Sequence, residues 1–115
     1  MRIEIVESQN VVVVAIGGDV DTTTASDLHT VFDDLVARGV RNFVIDLGDI
    51  AFMDSSGLAA LAKLYKRIRI GRGDVRLCCL PPDMRRIIEL TRFDRVFAIF
   101  ATRAEAVASF APKSE

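Results

Sequence analysis

The chain has no tryptophan, a single tyrosine, a single histidine and two cysteines, and its longest purely aliphatic run, Val11 to Ile16, is short. Each shortage excludes something. A membrane-spanning helix needs roughly 20 consecutive apolar residues, so Val11 to Ile16 reads as a strand and membrane insertion is not expected. Met1-Arg2-Ile3-Glu4 does not open a secretory signal, and the expected location is the cytoplasm. An excess of one charge is also missing. The 15 basic side chains stand against 16 acidic ones, which leaves no field for direct nucleic acid binding or for anionic lipid. Cys78 and Cys79 are adjacent in an expected strand, where successive side chains point to opposite faces. They are expected neither to pair nor to share a metal, and read as buried thiols of a reducing compartment.

What remains is a globular composition, 50% hydrophobic and 27% charged over 115 residues. A chain of this size suits one domain that buries roughly two-thirds of the surface its unfolded form exposes. The pattern predicts strands at Ile3 to Glu7 and Val11 to Ile16, joined by a polar turn at Ser8-Gln9-Asn10 and ended by Gly17-Gly18-Asp19. Leu28, Val31, Phe32, Leu35 and Val36 then mark a helix, with Thr24 and Asp27 spaced as a capping pair and Gly39 as the stop. A strand runs from Asn42 to Leu47, and Gly48 to Met53 reads as a connection. The next helix carries Leu58, Leu61, Tyr65 and Ile68 on its apolar stripe, and Gly71-Arg72-Gly73 turns into a strand at Val75 to Cys79. Pro81-Pro82-Asp83 opens a third helix with Met84, Ile87, Ile88 and Leu90. A last strand, Val96 to Phe100, precedes the capping box Thr102-Arg103-Ala104-Glu105 and a short helix with Val107 and Phe110. Helical crossovers imply parallel strands and the opening hairpin adds an antiparallel one. The expected fold class is therefore α/β, a small mixed β-sheet packed with about four α-helices. Residues 1–110 form this domain, and residues 111–115 are a tail expected to fray.

The junction Asp54-Ser55-Ser56-Gly57-Leu58 puts hydroxyls where a buried stretch gives way to a helix. Asp54, Ser55 and Ser56 are all good N-cap residues, so capping alone accounts for their presence. A nucleophile elbow needs a glycine two residues before the serine, where Ser55 has Met53 and Ser56 has Asp54. The one histidine, His29, reads as an exposed residue beside the stripe of the first helix. Acyl transfer is therefore not expected. No P-loop or dinucleotide fingerprint follows Gly17-Gly18. Asp19, Asp21, Asp49 and Asp54 all fall in expected loops and offer oxygen ligands for a hard cation, but capping and turn formation account for them. No metal and no cofactor is expected. Arg72-Gly73-Asp74 reads as a turn.

Several segments, in order, resemble the STAS domains of bacterial anti-sigma factor antagonists. Gly18-Asp19-Val20-Asp21 is similar to the family's Gly-Glu-x-Asp, and Thr24-Ala25 to its first helix start. Phe52-Met53-Asp54-Ser55-Ser56-Gly57-Leu58 resembles the family's phosphorylation loop almost letter for letter. Lys66 to Gly73, Cys79-x-Pro81 and the helix of Arg86 also fit, whereas Arg92 stands where the common pattern has glycine. The resemblance implies a non-enzymatic STAS protein that binds an anti-sigma factor with serine kinase activity and so releases a sigma factor. It implies Ser55 as the phosphoacceptor that ends binding, with a PP2C-like phosphatase restoring it. The implied partner-binding residues are Asp21, Thr22, Thr23, Asp54, Ser55, Ser56, Gly57 and Leu58. The alternative it leaves open is a STAS adaptor subunit of a lipid-transport or stress-signalling complex.

Overall fold

The computed structural model describes residues 1–111. Strands β1 (Arg2–Ser8) and β2 (Val11–Val20) form the antiparallel hairpin, with Ile3 opposite Ile16 and Val6 opposite Val13. Helix α1 (Ala25–Ala37) then crosses to β3 (Asn42–Asp46), β4 (Ile50–Met53) leads into α2 (Ser55–Ile70), and β5 (Asp74–Cys78) leads to α3 (Pro82–Leu90). β6 (Ile99–Phe100) and α4 (Arg103–Ala108) complete the described chain. The sheet order is β1-β2-β3-β5-β6, with β4 pairing β2 alone. The steps from β2 to β3, β5 and β6 are all parallel and all in one direction. Crossovers of one hand therefore lay α1, α2 and α3 on one face. The mixed α/β sheet with helices is thus as expected. The described residues stop short of 112–115, so the expected fraying of the tail lies, from Pro112 onward, outside them.

The larger core lies under these helices, where Leu28, Phe32 and Leu35 of α1 and Leu61, Leu64 and Ile68 of α2 meet Val14, Phe43, Ile45 and Leu77 of the sheet. Phe32 sits edge-on to Phe43, ring centroids 6.4 Å apart. The opposite face has only α4, whose Ala106 packs with Val11, Val13, Val44 and Cys78. The alternation of the strands feeds both cores, since Val13 and Val14 are each buried on opposite faces of β2.

Three expectations are corrected. Gly17-Gly18 does not end β2, which continues to Val20. Gly18 takes a φ of 80°, open to a residue without Cβ, and the pairing register shifts between Gly18 and Asp19. The glycines make a bulge that bends the strand rather than stopping it. Gly48 to Met53 is not merely a connection, because after a short turn Ile50–Met53 pairs parallel to the far end of β2. The expected strand at Val96 to Phe100 shrinks to Ile99–Phe100. A 3-10 turn at Phe93–Arg95 leads in instead, and Phe97 is buried against Tyr65, ring centroids 5.0 Å apart.

Arg92, standing where glycine is common in the similar family, adopts a left-handed φ of 63° just past the end of α3. Its amide donates to the Glu89 carbonyl at 3.2 Å, the geometry of a helix C-terminus that glycine serves without a steric penalty. Arg92→Gly is expected to raise stability by up to about 1 kcal/mol, the order of the left-handed penalty. Urea unfolding checks this, and a lowered midpoint counts against it.

Candidate functional site

β2 and β4 run parallel and end in register, Val20 opposite Met53, so the next residue of each strand, Asp21 and Asp54, emerges at one place. The Asp54 amide donates to the Val20 carbonyl at 3.0 Å and ties the two exits together. Each aspartate then starts a helix. Asp21 Oδ1 accepts from the Thr23 hydroxyl at 2.7 Å and from the amides of Thr23 and Thr24 at 2.9 and 3.2 Å. Asp54 Oδ1 accepts from the Ser56 amide at 2.9 Å and from the Ser56 hydroxyl. Thr24 does precede α1, but its hydroxyl turns back to accept from the Asp21 amide at 2.9 Å and does not cap Asp27. The Asp21 carboxylate instead caps the turn Thr22–Thr24 that leads into α1.

These bonds stabilise the charged carboxylates. Donation from Thr23, its hydroxyl foremost, and from the Thr24 amide holds Asp21 below the ordinary carboxylate range. The Ser56 hydroxyl, then its amide, does the same for Asp54, while the charge of Asp21 pushes Asp54 weakly the other way. The two carboxylates are therefore within electrostatic reach. Both are anionic at neutral pH and weak as bases, which suits anchoring and not proton abstraction.

Ser55 is the first residue of α2 and is exposed. Among the described residues its hydroxyl makes no hydrogen bond, whereas the half-buried Ser56 has its hydroxyl committed to Asp54. Thr22 and Thr23 are exposed beside Asp21, and Leu58 is half-buried against the main core. Gly57 differs from the other expected contact residues because it is buried. A Cβ there would lie 2.6 Å from Met53 Cγ and 2.8 Å from Val20 Cγ1. Glycine lets the first turn of α2 rest directly on the two strands, so its contribution is to shape the site from beneath. Phe52, which the reading of 48–53 as a connection left out of the contact set, stands on β4 with half its surface exposed. It borders a hollow of about 450 Å³ lined also by Met53, Pro81, Pro82, Met84 and Ile87. Its presence in the quoted loop was the one available signal.

His29 lies half-exposed on α1. The loop aspartates do not converge on an ion, since among the described residues the one trio of metal-ligating groups within 4.8 Å of each other is Asp46, Cys78 and Cys79. The expectation that adjacent cysteines diverge is thereby corrected. Cys79 lies past the end of β5 with a φ of 65°, and the left-handed turn swings its side chain back toward that of Cys78. Only Cys78 is buried, and burial, then the bond to Cys79, pushes its thiol far above the usual range.

Two outcomes follow. Gly57→Ala should lower the melting temperature although alanine is the better helix former by about 1 kcal/mol, because Val20 is stiff and Met53 is held mid-chain. Thermal unfolding decides the sign. For Asp54 the folded value is depressed below the ordinary 3.8, so its stabilisation is complete above that pH and is lost as pH falls through the folded value. The Ser56 amide shift in an NMR titration should have its midpoint below 3.8, and Asp54→Asn should abolish that step.

A family model of the STAS domain matches residues 2–106. The anti-sigma-F factor antagonist RsfB of Mycobacterium tuberculosis is 31% identical over 114 residues, covering 93% of this chain and 87% of that protein. The anti-sigma F factor antagonist of Paenibacillus polymyxa is 25% identical over 108 residues, covering 93% and 92%. A crystal structure of an anti-sigma factor antagonist from Mycobacterium paratuberculosis superposes with a TM-score of 0.87 at 29% identity, covering 94% of this chain and 92% of that one. With a family model spanning almost all of its described residues, the chain belongs to the STAS domain family.

Proposed function

We propose that this protein is an anti-sigma factor antagonist whose binding is switched by phosphorylation of Ser55. The observation that carries the reading is the contrast between two neighbouring hydroxyls, Ser55 exposed at the first position of α2 and unbonded among the described residues, Ser56 tied to Asp54. A kinase needs the former. The partner is an anti-sigma factor with serine kinase activity, ATP is its phosphate donor, and a PP2C-like phosphatase reverses the change. The protein is the substrate of that exchange and not a catalyst, and it acts in the cytoplasm. The names of the similar proteins, anti-sigma factor antagonists, support the partner class. The docking surface comprises Asp21, Thr22, Thr23, Asp54, Ser55, Ser56 and Leu58, shaped by Gly57 and extended by Phe52. No helix among the described residues is long and apolar enough to cross a membrane.

Phosphate at Ser55 adds about −1.5 to −2 charges and three strong acceptors. Within the domain this is tolerated, because the amides and dipole at the start of a helix favour an anion by roughly 0.3–2 kcal/mol. Asp21 and Asp54 oppose it, but both are only half-buried and keep contact with water that screens them. At an interface the water is gone. One acidic partner group about 6 Å away, at an effective dielectric of ~20, repels each unit of added charge by roughly 2.8 kcal/mol, an upper figure. Half of that weakens binding about tenfold. Added repulsion, bulk and desolvation can end binding while the fold stays as it is.

The test incubates the protein with ATP and each kinase-like anti-sigma factor of its source organism, then reads intact mass and affinity. Wild type and Ser56→Ala should gain one phosphate and Ser55→Ala none, and Ser55→Glu should bind at least about tenfold more weakly. Phosphate gain that survives Ser55→Ala overturns the assignment.

A further inference from the structure

On the α4 face of the sheet, β3 and β5 end together. They pair in parallel register with Asp46 opposite Cys78, so these two side chains leave the sheet on the same side as neighbours. Cys79 follows, and its left-handed backbone, held by donation of its amide to the Phe100 carbonyl at 3.1 Å, returns its thiol to that side. The sulfurs of Cys78 and Cys79 and a carboxylate oxygen of Asp46 all lie within 4.8 Å of one another. A left-handed backbone is uncommon for any residue other than glycine, and is retained where the surroundings impose it. We propose that Asp46, Cys78 and Cys79 form a binding site for a thiophilic divalent cation of the zinc class, with water as fourth ligand. The site is independent of Ser55 and of the switching role assigned to it.

The dimensions suit a tetrahedral centre. Zinc–sulfur bonds of about 2.3 Å and zinc–oxygen bonds of about 2.0–2.2 Å place the sulfurs about 3.8 Å apart and sulfur and oxygen about 3.5 Å apart. From their 4.8 Å limit the sulfurs need to close by at most about 1 Å and each sulfur–oxygen pair by at most about 1.3 Å.

The carboxylate is already oriented. Asp46 Oδ1 accepts from the Gly48 amide at 2.9 Å, and Oδ2 from Arg103 Nε at 2.8 Å. An ionised carboxylate has about four lone-pair sites, so these bonds leave capacity for a metal while fixing the direction of the group, the usual arrangement behind a ligating carboxylate. Charge closes as well. Two thiolates and one carboxylate carry three negative charges, balanced by a divalent ion and Arg103.

Two thiolates beside one carboxylate favour zinc over magnesium or calcium, which take oxygen donors. Binding forms two metal–sulfur bonds and one metal–oxygen bond, and the two thiol protons pass to water, since a coordinating thiol is deprotonated outright. A cavity of about 510 Å³, lined by Asp46, Cys79 and Arg103 together with Arg2, Glu4 and Asp49, opens on the site from the side of Asp46 and Cys79 and leaves room for the water ligand, with the buried Cys78 behind them.

The experiment uses the untagged full chain, reduced and stripped of metal by a chelator. Titration with Co²⁺ should saturate at one equivalent, with a near-ultraviolet thiolate-to-metal band and the visible bands of a tetrahedral ion, and Zn²⁺ should displace them. Zn²⁺ should also raise the melting temperature of the wild type. In Cys79→Ser the thiolate band should diminish, affinity should fall at least tenfold, and the thermal shift should vanish. Asp46→Asn gives a second variant, with a similar fall in affinity, should serine at 79 unsettle the turn. Absence of the thiolate band in the wild type, or unchanged affinity in both variants, overturns the site.

Discussion

Much of this molecule depends on the parallel pairing of β4 with the last residues of β2. β2 is long enough to serve two partners, β3 along Val12–Ala15 and β4 along Gly18–Val20. The change of partner requires the strand to bend, and the bulge at Gly18 with its φ of 80° provides the bend. Once Val20 lies opposite Met53, the chain has no freedom in where Asp21 and Asp54 emerge. Two helices then begin side by side, Asp54 accepting from the Ser56 amide in the first turn of α2 and Asp21 from the Thr23 and Thr24 amides in the turn that leads into α1. Without that pairing Asp21 and Ser55 would belong to separate loops.

The same arrangement reconciles stability with presentation of the serine. Gly57 brings the first turn of α2 into contact with Val20 and Met53, anchoring the helix start, while Ser55, two residues earlier in the same turn, is exposed to solvent. Asp54 takes the capping role in place of either serine, and draws in the Ser56 hydroxyl as well. Ser55 is left with no structural duty among the described residues. A group with no structural duty can be modified without unfolding its host, and a helix N-terminus is a favourable place for the anion that results.

Much of this was legible in the residues. The apolar stripes of α1 and α2, the opening hairpin and the Thr102 cap, which accepts from the Glu105 amide at 3.1 Å, all stand where periodicity and capping rules put them. The junction at Asp54 was legible too, because capping chemistry is local. β4 was not, since Ile50-Ala51-Phe52-Met53 is short and its burial pattern of two buried ends around two exposed residues follows no strand period. Thr24 misled because its hydroxyl is drawn back to the amide of Asp21, three residues earlier, and so does not serve the first turn of α1. Cys79 misled because alternation holds only inside a strand, and one left-handed residue past its end undoes it.

The sequence by itself determined which segments bury their faces, where helices begin, and that a serine follows a capping aspartate, because hydrophobic period and N-cap chemistry act over a few neighbouring residues. Only the tertiary structure decided that Asp21 stands beside Asp54, that among the described residues Ser55 and not Ser56 keeps its hydroxyl unbonded, and that Asp46, Cys78 and Cys79 meet. Those facts depend on strand register and on backbone turns between residues far apart in the chain, which local pattern does not encode.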